Sequence, residues 1–172
     1  MLEEFPALEA HYRLLEKWNK VLNLTRIADV ERNYGESLFL GRHLPKGRLR
    51  ICDIGSGAGF PGFPVAVLRP ECEVTLIESH QRKAVFLKEA SRGQANIRVL
   101  AGRAEEVQER FDWAISRAVS ASDLELFLAR LAPNAALLTG AEEPAIAGFV
   151  WEEPLRLPDS RGRFLRIGHC FT

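Results

Sequence analysis

The chain has 172 residues, 47% of them hydrophobic and 27% charged, a balance that fits a soluble globular domain large enough to bury a core and excludes a disordered or fibrous chain. Lys+Arg and Asp+Glu both total 23, so net charge gives no argument for a nucleic-acid partner and any basic surface must come from local clustering. The chain begins Met1-Leu2-Glu3-Glu4, with neither a basic n-region nor an apolar h-region, and no later run is long enough to span a bilayer; a cytoplasmic protein without a membrane partner is expected.

Leu8, Tyr12, Leu15, Trp18 and Leu22 recur at spacings of three and four, which predicts an amphipathic helix from about Pro6 to Leu22 with Arg13, Glu16, Lys17 and Lys20 on its other face. Asp29 is a good N-cap and Glu31 suits a first turn, so a second helix is predicted from Asp29 to about His43. Pro45-Lys46-Gly47 closes this prelude. Residues 1–47 are therefore expected to be a helical extension of a single domain, with 48–172 as the sheet portion.

The next stretch is Leu49-Arg50-Ile51-Cys52-Asp53-Ile54-Gly55-Ser56-Gly57-Ala58-Gly59-Phe60-Pro61-Gly62. A short apolar run ends in an acid, glycines alternate with small residues, and Pro61 falls where a first helical residue would lose nothing by lacking an N–H. Gly57 to Gly62 fits the dinucleotide pattern GxGxxG, but it begins after the strand has turned. Read from Asp53, the stretch is an acid followed by GxGxG, the form usual in S-adenosylmethionine (SAM) methyltransferases.

A helix to about Arg69 should follow, broken by Pro70-Glu71, then a strand Val74–Ile77 ending in Glu78. In nucleoside-binding sheets an acid at that place accepts hydrogen bonds from ribose hydroxyls. Gln81 to Arg92 reads as a helix stopped by Gly93, Ile97–Leu100 as a strand, and Phe111–Ile115 as a further strand delivering Ser116 and Arg117. Asp123–Leu131 is predicted as a helix and Ala135–Leu138 as a fifth strand. The tail, Phe149 to Leu157 and Arg163 to Ile167, reads as two short strands forming a closing antiparallel hairpin. Strands alternating with helices predict an α/β fold with a doubly wound, mostly parallel, Rossmann-like sheet. Its ligand should lie beyond the carboxyl ends of the strands, where Asp53, Gly55, Glu78, Ala104 and Arg117 all fall. Cys52, Cys72 and Cys170 show no metal-ligand spacing, and His11, His43, His80 and His169 are scattered and read as structural or exposed, so no metal is expected.

Trp18-Asn19-Lys20-x-x-Asn23-Leu24-Thr25, Asp53 to Gly62, Arg103-Ala104-Glu105-Glu106 and Ile115-Ser116-Arg117-Ala118 together resemble the bacterial 16S ribosomal RNA guanine-N7 methyltransferase family, also called glucose-inhibited division protein B. The similarity runs from about Tyr12 to Val119. It implies SAM held by backbone around Gly55, Gly57, Gly59 and Phe60, with Glu78 on the ribose, Ala104 and Glu105 flanking the adenine, and Asp53 and Arg117 completing the site. The chain departs from the family's pattern at Asn33 and Glu36 in the second helix, where a histidine and an aspartate are usual, and at Thr139, where a lysine is usual. Its C-terminus is also short.

Guanine N7 has a lone pair and no proton, so its methylation requires no general base, and catalysis would rest on proximity and orientation. Arg117 is the catalytic candidate, to orient the base or the methionine carboxylate; its alternative role is to brace Asp53. Lys20, Arg26, Arg32, Arg42, Lys46, Arg48 and Arg50 make the prelude basic, and Asn23, Arg26 and Arg32 are the candidates for contact with RNA. The expected partner is 16S rRNA or the small ribosomal subunit, bound by a monomer. A small-molecule SAM methyltransferase and a non-catalytic module that binds SAM and RNA remain as alternatives.

Overall fold

The computed structural model describes residues 1–25 and 29–171. After a 3-10 turn at Leu2–Glu4, helix α1 spans Pro6–Asn19 and α2 spans Val30–His43. Strand β1 (Arg50–Ile54) leads through the glycine turn into α3 (Gly62–Leu68), and β2 (Glu73–Glu78), α4 (Gln81–Ala90) and β3 (Ile97–Ala101) follow. A 3-10 turn at Ala104–Glu106 precedes β4 (Trp113–Arg117), α5 (Ala121–Glu125), α6 (Leu128–Leu131) and β5 (Asn134–Thr139). Strands β6 (Phe149–Trp151), β7 (Leu155–Arg156) and β8 (Phe164–Cys170) close the chain.

The sheet has the order β3-β2-β1-β4-β5-β8-β6, with β7 paired on β8. The first five strands are parallel, and β8 runs antiparallel to β5, β6 and β7. The fold is thus the expected doubly wound, mostly parallel one. Because strand order reverses between β1 and β4, a crevice opens at the carboxyl ends of those two strands.

Alternation along the strands divides the core into two layers. Ile51 of β1 packs with Leu8, Leu15, Tyr34, Phe63 and Phe86 on the face covered by α1 to α4. Cys52 and Ile54 pack on the other face with Phe111, Leu124, Leu128 and Ile146. The prelude helices are therefore part of the first layer, with Leu8, Leu15 and Tyr34 essentially inaccessible to water.

Three local expectations are revised. The predicted helix 123–131 is two short helices: Ser120 caps α5, its side chain accepting from Asp123 N, and the backbone breaks at Phe127 (φ −142°, ψ −9°). Apolar spacing alone carried no sign of that break. The tail makes three strands rather than two, because the run from Phe149 to Leu157 is interrupted at Glu152–Pro154, and proline cannot donate to a ladder. Pro61 follows a cis peptide bond and sits just before α3 rather than at its first helical position. Among the described residues no helix is long and apolar enough to cross a membrane.

Candidate functional site

The turn after β1 is held from three directions. Asp53, fully buried, accepts hydrogen bonds at Oδ2 from Ser56 Oγ (2.7 Å) and Gly62 N (2.9 Å), so it ties the two ends of the loop together. Gly62 has to be glycine, because a Cβ there would lie 2.4 Å from Leu76 Cδ2 and 2.6 Å from Asp53 Oδ2. From the β2 side, the Ile77 carbonyl accepts from Gly55 N and Ser56 N, both at 3.0 Å. Glu78, at the end of β2, accepts from Gly57 N (2.8 Å) and His80 N (2.8 Å), which fixes both carboxylate oxygens beside the loop. Gly57 has φ +60°, and a Cβ on it would meet nothing nearer than Gly55 O at 3.9 Å, so the backbone face there is open to a ligand.

The third hold comes from α1. His11 is 2% exposed, donates from Nε2 to the Ala58 carbonyl (2.8 Å) and accepts at Nδ1 from the Tyr34 hydroxyl. Its ring stacks on Phe63, with centroids 4.4 Å apart. Burial lowers its pKa to about 4, so the imidazole is neutral, as this pair of bonds requires. The sequence reading of His11 as structural or exposed resolves to structural. That it grips the glycine loop could not be read from a histidine on an amphipathic helix.

Burial also raises the Asp53 pKa to about 7, against the hydrogen bonds from Ser56 and Gly62 and the more distant Arg117. Its Oδ1 is buried with no partner among the described residues. An unpartnered buried carboxylate oxygen costs on the order of 1–3 kcal/mol.

Beside the loop is a cavity of about 220 Å³ lined by Gly55, Ile77, Ala104, Glu105, Val119 and Phe127 among others. Ala104 and Glu105 lie on its wall in the 3-10 turn after β3. That turn is pinned from α6 by Arg130, which donates to the carbonyls of Ala104 (3.2 Å), Glu105 (2.9 Å) and Val107. Val119 also lines a larger cleft of about 570 Å³ over the ends of β4 and β5, so the two spaces adjoin. The cleft is lined by Arg32, Arg117 and Arg163, with Thr139, Glu142 and Glu143 on the β5 side.

Arg117 does not pair with Asp53. Its Nη1 donates to Asn33 Oδ1 on α2, and its guanidinium lies 5.8 Å from the centroid of the Phe60 ring, within reach of a cation–π contact. Phe60 is itself buried, 3% exposed, so it meets Arg117 rather than open solvent. Burial lowers the Arg117 pKa, while the carboxylate of Glu36 acts to raise it. Asn33 and Glu36 stand three apart on α2 and face this same region, both essentially inaccessible.

The RNA-contact candidates separate. Arg32 lines the large cleft and also pairs with Asp29 at 3.2 Å. Asn23 is exposed in the segment after α1 and lines neither cavity. Arg26 lies outside the described residues. Arg50 sits at the amino end of β1 and bonds Glu109, at the opposite pole from the glycine turn. Sequence reasoning missed Arg163 and the β5 loop at Glu142 and Glu143, since long-range docking of the tail leaves no periodic signal.

A doubly wound sheet with an acid-and-glycine turn after β1, and a second acid at the end of β2 bonded to that turn, is the Rossmann-like fold of SAM-dependent methyltransferases. A SAM-dependent methyltransferase from Aquifex aeolicus superposes with a TM-score of 0.67 at 16% identity, covering 89% of this chain and 98% of that one, a likeness of fold. The chain belongs to the rRNA small subunit methyltransferase G family, whose family model matches residues 4–136. The ribosomal RNA small subunit methyltransferase G of Nitrosomonas europaea is 43% identical over 126 residues, 69% of this chain and 57% of that protein. The corresponding protein of Methylobacillus flagellatus is 42% identical over 129 residues, 70% of this chain and 61% of that protein. The matches thus span little more than half the length of these relatives.

Proposed function

We propose that this chain binds SAM at the glycine turn and transfers its methyl group to N7 of a guanine in 16S ribosomal RNA. The observation that carries this reading is the adjacency of two spaces across Val119, one walled by the glycine turn and the Ala104–Glu105 turn, the other by arginines. SAM supplies an electrophilic methyl on a sulfonium, and the residues present fit it. Glu78 offers carboxylate oxygens for ribose hydroxyls, Ala104 and Glu105 flank the space for adenine, and Gly55 and Gly57 leave the backbone approachable, whereas Gly59 turns inward against His11, Phe63 and Leu87. Asp53 holds that turn closed from within the core.

On the substrate side, Arg117 orients the incoming base or the methionine carboxylate from a fixed position between Asn33 and Phe60. The cleft holds the base in line and excludes water, and N7 has no proton to be taken, so these roles suffice without a general base. The arginines on the cleft wall favour a polyanionic substrate over a small apolar one. Residues 1–47 serve as an extension that braces the cofactor turn through His11 and the cleft through α2. The protein works on RNA in the cytoplasm as a monomer and uses no metal.

Isothermal titration of SAM tests the cofactor half. The wild-type protein should bind, and Gly57→Asp should not, because a side chain and a negative charge would enter beside Glu78. Tight binding by Gly57→Asp would place the site elsewhere.

A further inference from the structure

Arg163 stands in the turn between β7 and β8 and reaches across to α2, where its Nε donates to Glu36 Oε1 (2.7 Å) and its Nη2 to Glu36 Oε2 (3.0 Å). The Glu36 side chain is 1% exposed and that of Arg163 is 30% exposed. A buried ion pair of this kind adds little net stability, since desolvation offsets most of the attraction, and an apolar pair of similar volume would hold the tail to α2 as well. What the pair does fix is the direction of a planar guanidinium. The side-on contact occupies Nε and one hydrogen of Nη2. Both hydrogens of Nη1 and the second of Nη2 have no partner among the described residues, and one from each of these nitrogens points off the end of the guanidinium as a parallel pair.

That free end is a fork whose spacing matches two oxygens of a phosphate. It lines the same cleft as Arg117 and Arg32, while on the β5 side stand Glu142, whose carboxylate would repel an anion, and Glu143, 4.0 Å from Arg166. An anion entering the cleft is therefore directed to the α2 side. Resting on the RNA reading above, we propose that Arg163, aimed by Glu36, binds a backbone phosphate of the substrate RNA next to the target base. Arg163 lies beyond the residues 4–136 that match the family model, so the contact is made by the tail of this chain.

The test is equilibrium binding of unmodified small ribosomal subunits over a series of KCl concentrations, with SAM titrated in parallel. Arg163→Ala should weaken RNA binding about tenfold and make the log–log salt slope shallower by about 0.7, the loss of one phosphate contact to single-stranded RNA, while SAM affinity is unchanged. Arg163→Lys should restore the slope but not all of the affinity, because the charge returns without the fork. Since Arg163→Ala leaves Glu36 buried without its partner, the double variant Arg163→Ala, Glu36→Gln carries the same comparison in a protein with no orphaned charge. An unchanged slope with a lowered melting temperature would make Arg163 a strut and overturn the proposal. Failure of the unsubstituted protein to bind any subunit while still binding SAM would instead overturn the RNA reading beneath it.

Discussion

Gly62→Ala isolates the packing that shapes the cofactor turn. The added Cβ would lie 2.4 Å from Leu76 Cδ2, 2.6 Å from Asp53 Oδ2 and 2.8 Å from Asp53 Cβ. Leu76 and Asp53 are both fully buried, so neither can swing aside into solvent. Overpacking of this kind costs about 1–3 kcal/mol, and displacing Asp53 from Gly62 N forfeits about 1 kcal/mol more. The better helix propensity of alanine returns at most about 1 kcal/mol at this first helical position. With that full return the net loss is about 1–3 kcal/mol, which for a chain of this size lowers Tm by about 2–12 °C. Gly57→Ala is the control: its Cβ has room, and its φ of +60° costs about 1–2 kcal/mol, yet the methyl group covers backbone that the ligand must approach. Scanning calorimetry and SAM titration on both variants should show Gly62→Ala with the larger fall in Tm and Gly57→Ala with the larger loss of affinity per unit of lost stability. A Gly62→Ala protein as stable as the wild type would refute this account of why the turn closes.

Arg117→Ala should cut methyl transfer by at least tenfold and, by leaving the buried Asn33 Oδ1 unpaired, cost about 1–3 kcal/mol of stability, as read by single-turnover kinetics and thermal denaturation; a lowered Tm with transfer unchanged would restore a bracing role. His11→Phe should keep the ring volume but leave the Ala58 carbonyl and the Tyr34 hydroxyl unpaired, a loss of about 2–5 kcal/mol in urea denaturation. Asp53, raised from 3.8 to about 7, contributes stability below pH 3.8 that is lost as pH rises through about 7. His11, lowered from 6.5 to about 4, contributes stability above pH 6.5 that is lost as pH falls through about 4. The two slopes oppose each other in the wild type, so Asp53→Asn should expose acid destabilisation and His11→Phe the reverse trend, each measured as denaturation midpoint against pH.

The parts legible in the sequence are those fixed by local rules. Glycine spacing behind Asp53 marked the turn because positive φ and open backbone leave few residue choices, and Glu78 was found because a strand end carries its last side chain to the crevice. The β-α alternation gave the sheet for the same reason. What stayed hidden depends on contacts across long stretches of chain. Nothing near His11 announces that Ala58 will lie 2.8 Å from its ring, and nothing near Arg163 points to a carboxylate 127 positions earlier. Asn33 and Glu36 stood out as departures from a family pattern, but their joint work on Arg117 and Arg163 emerges when α2 is laid against the ends of β4 and β8. The break between α5 and α6 is of the same kind, a tertiary adjustment at Phe127 inside a segment whose apolar spacing reads as continuous helix.

The most direct test of the central claim is transfer of labelled methyl from SAM to unmodified small ribosomal subunits, with the modified base mapped by cleavage at N7-methylguanine. Label should appear at one guanine of the 16S RNA and be lost in Arg117→Ala. A protein that binds SAM yet labels no RNA would contradict it and leave a cofactor-binding fold whose methyl group goes elsewhere.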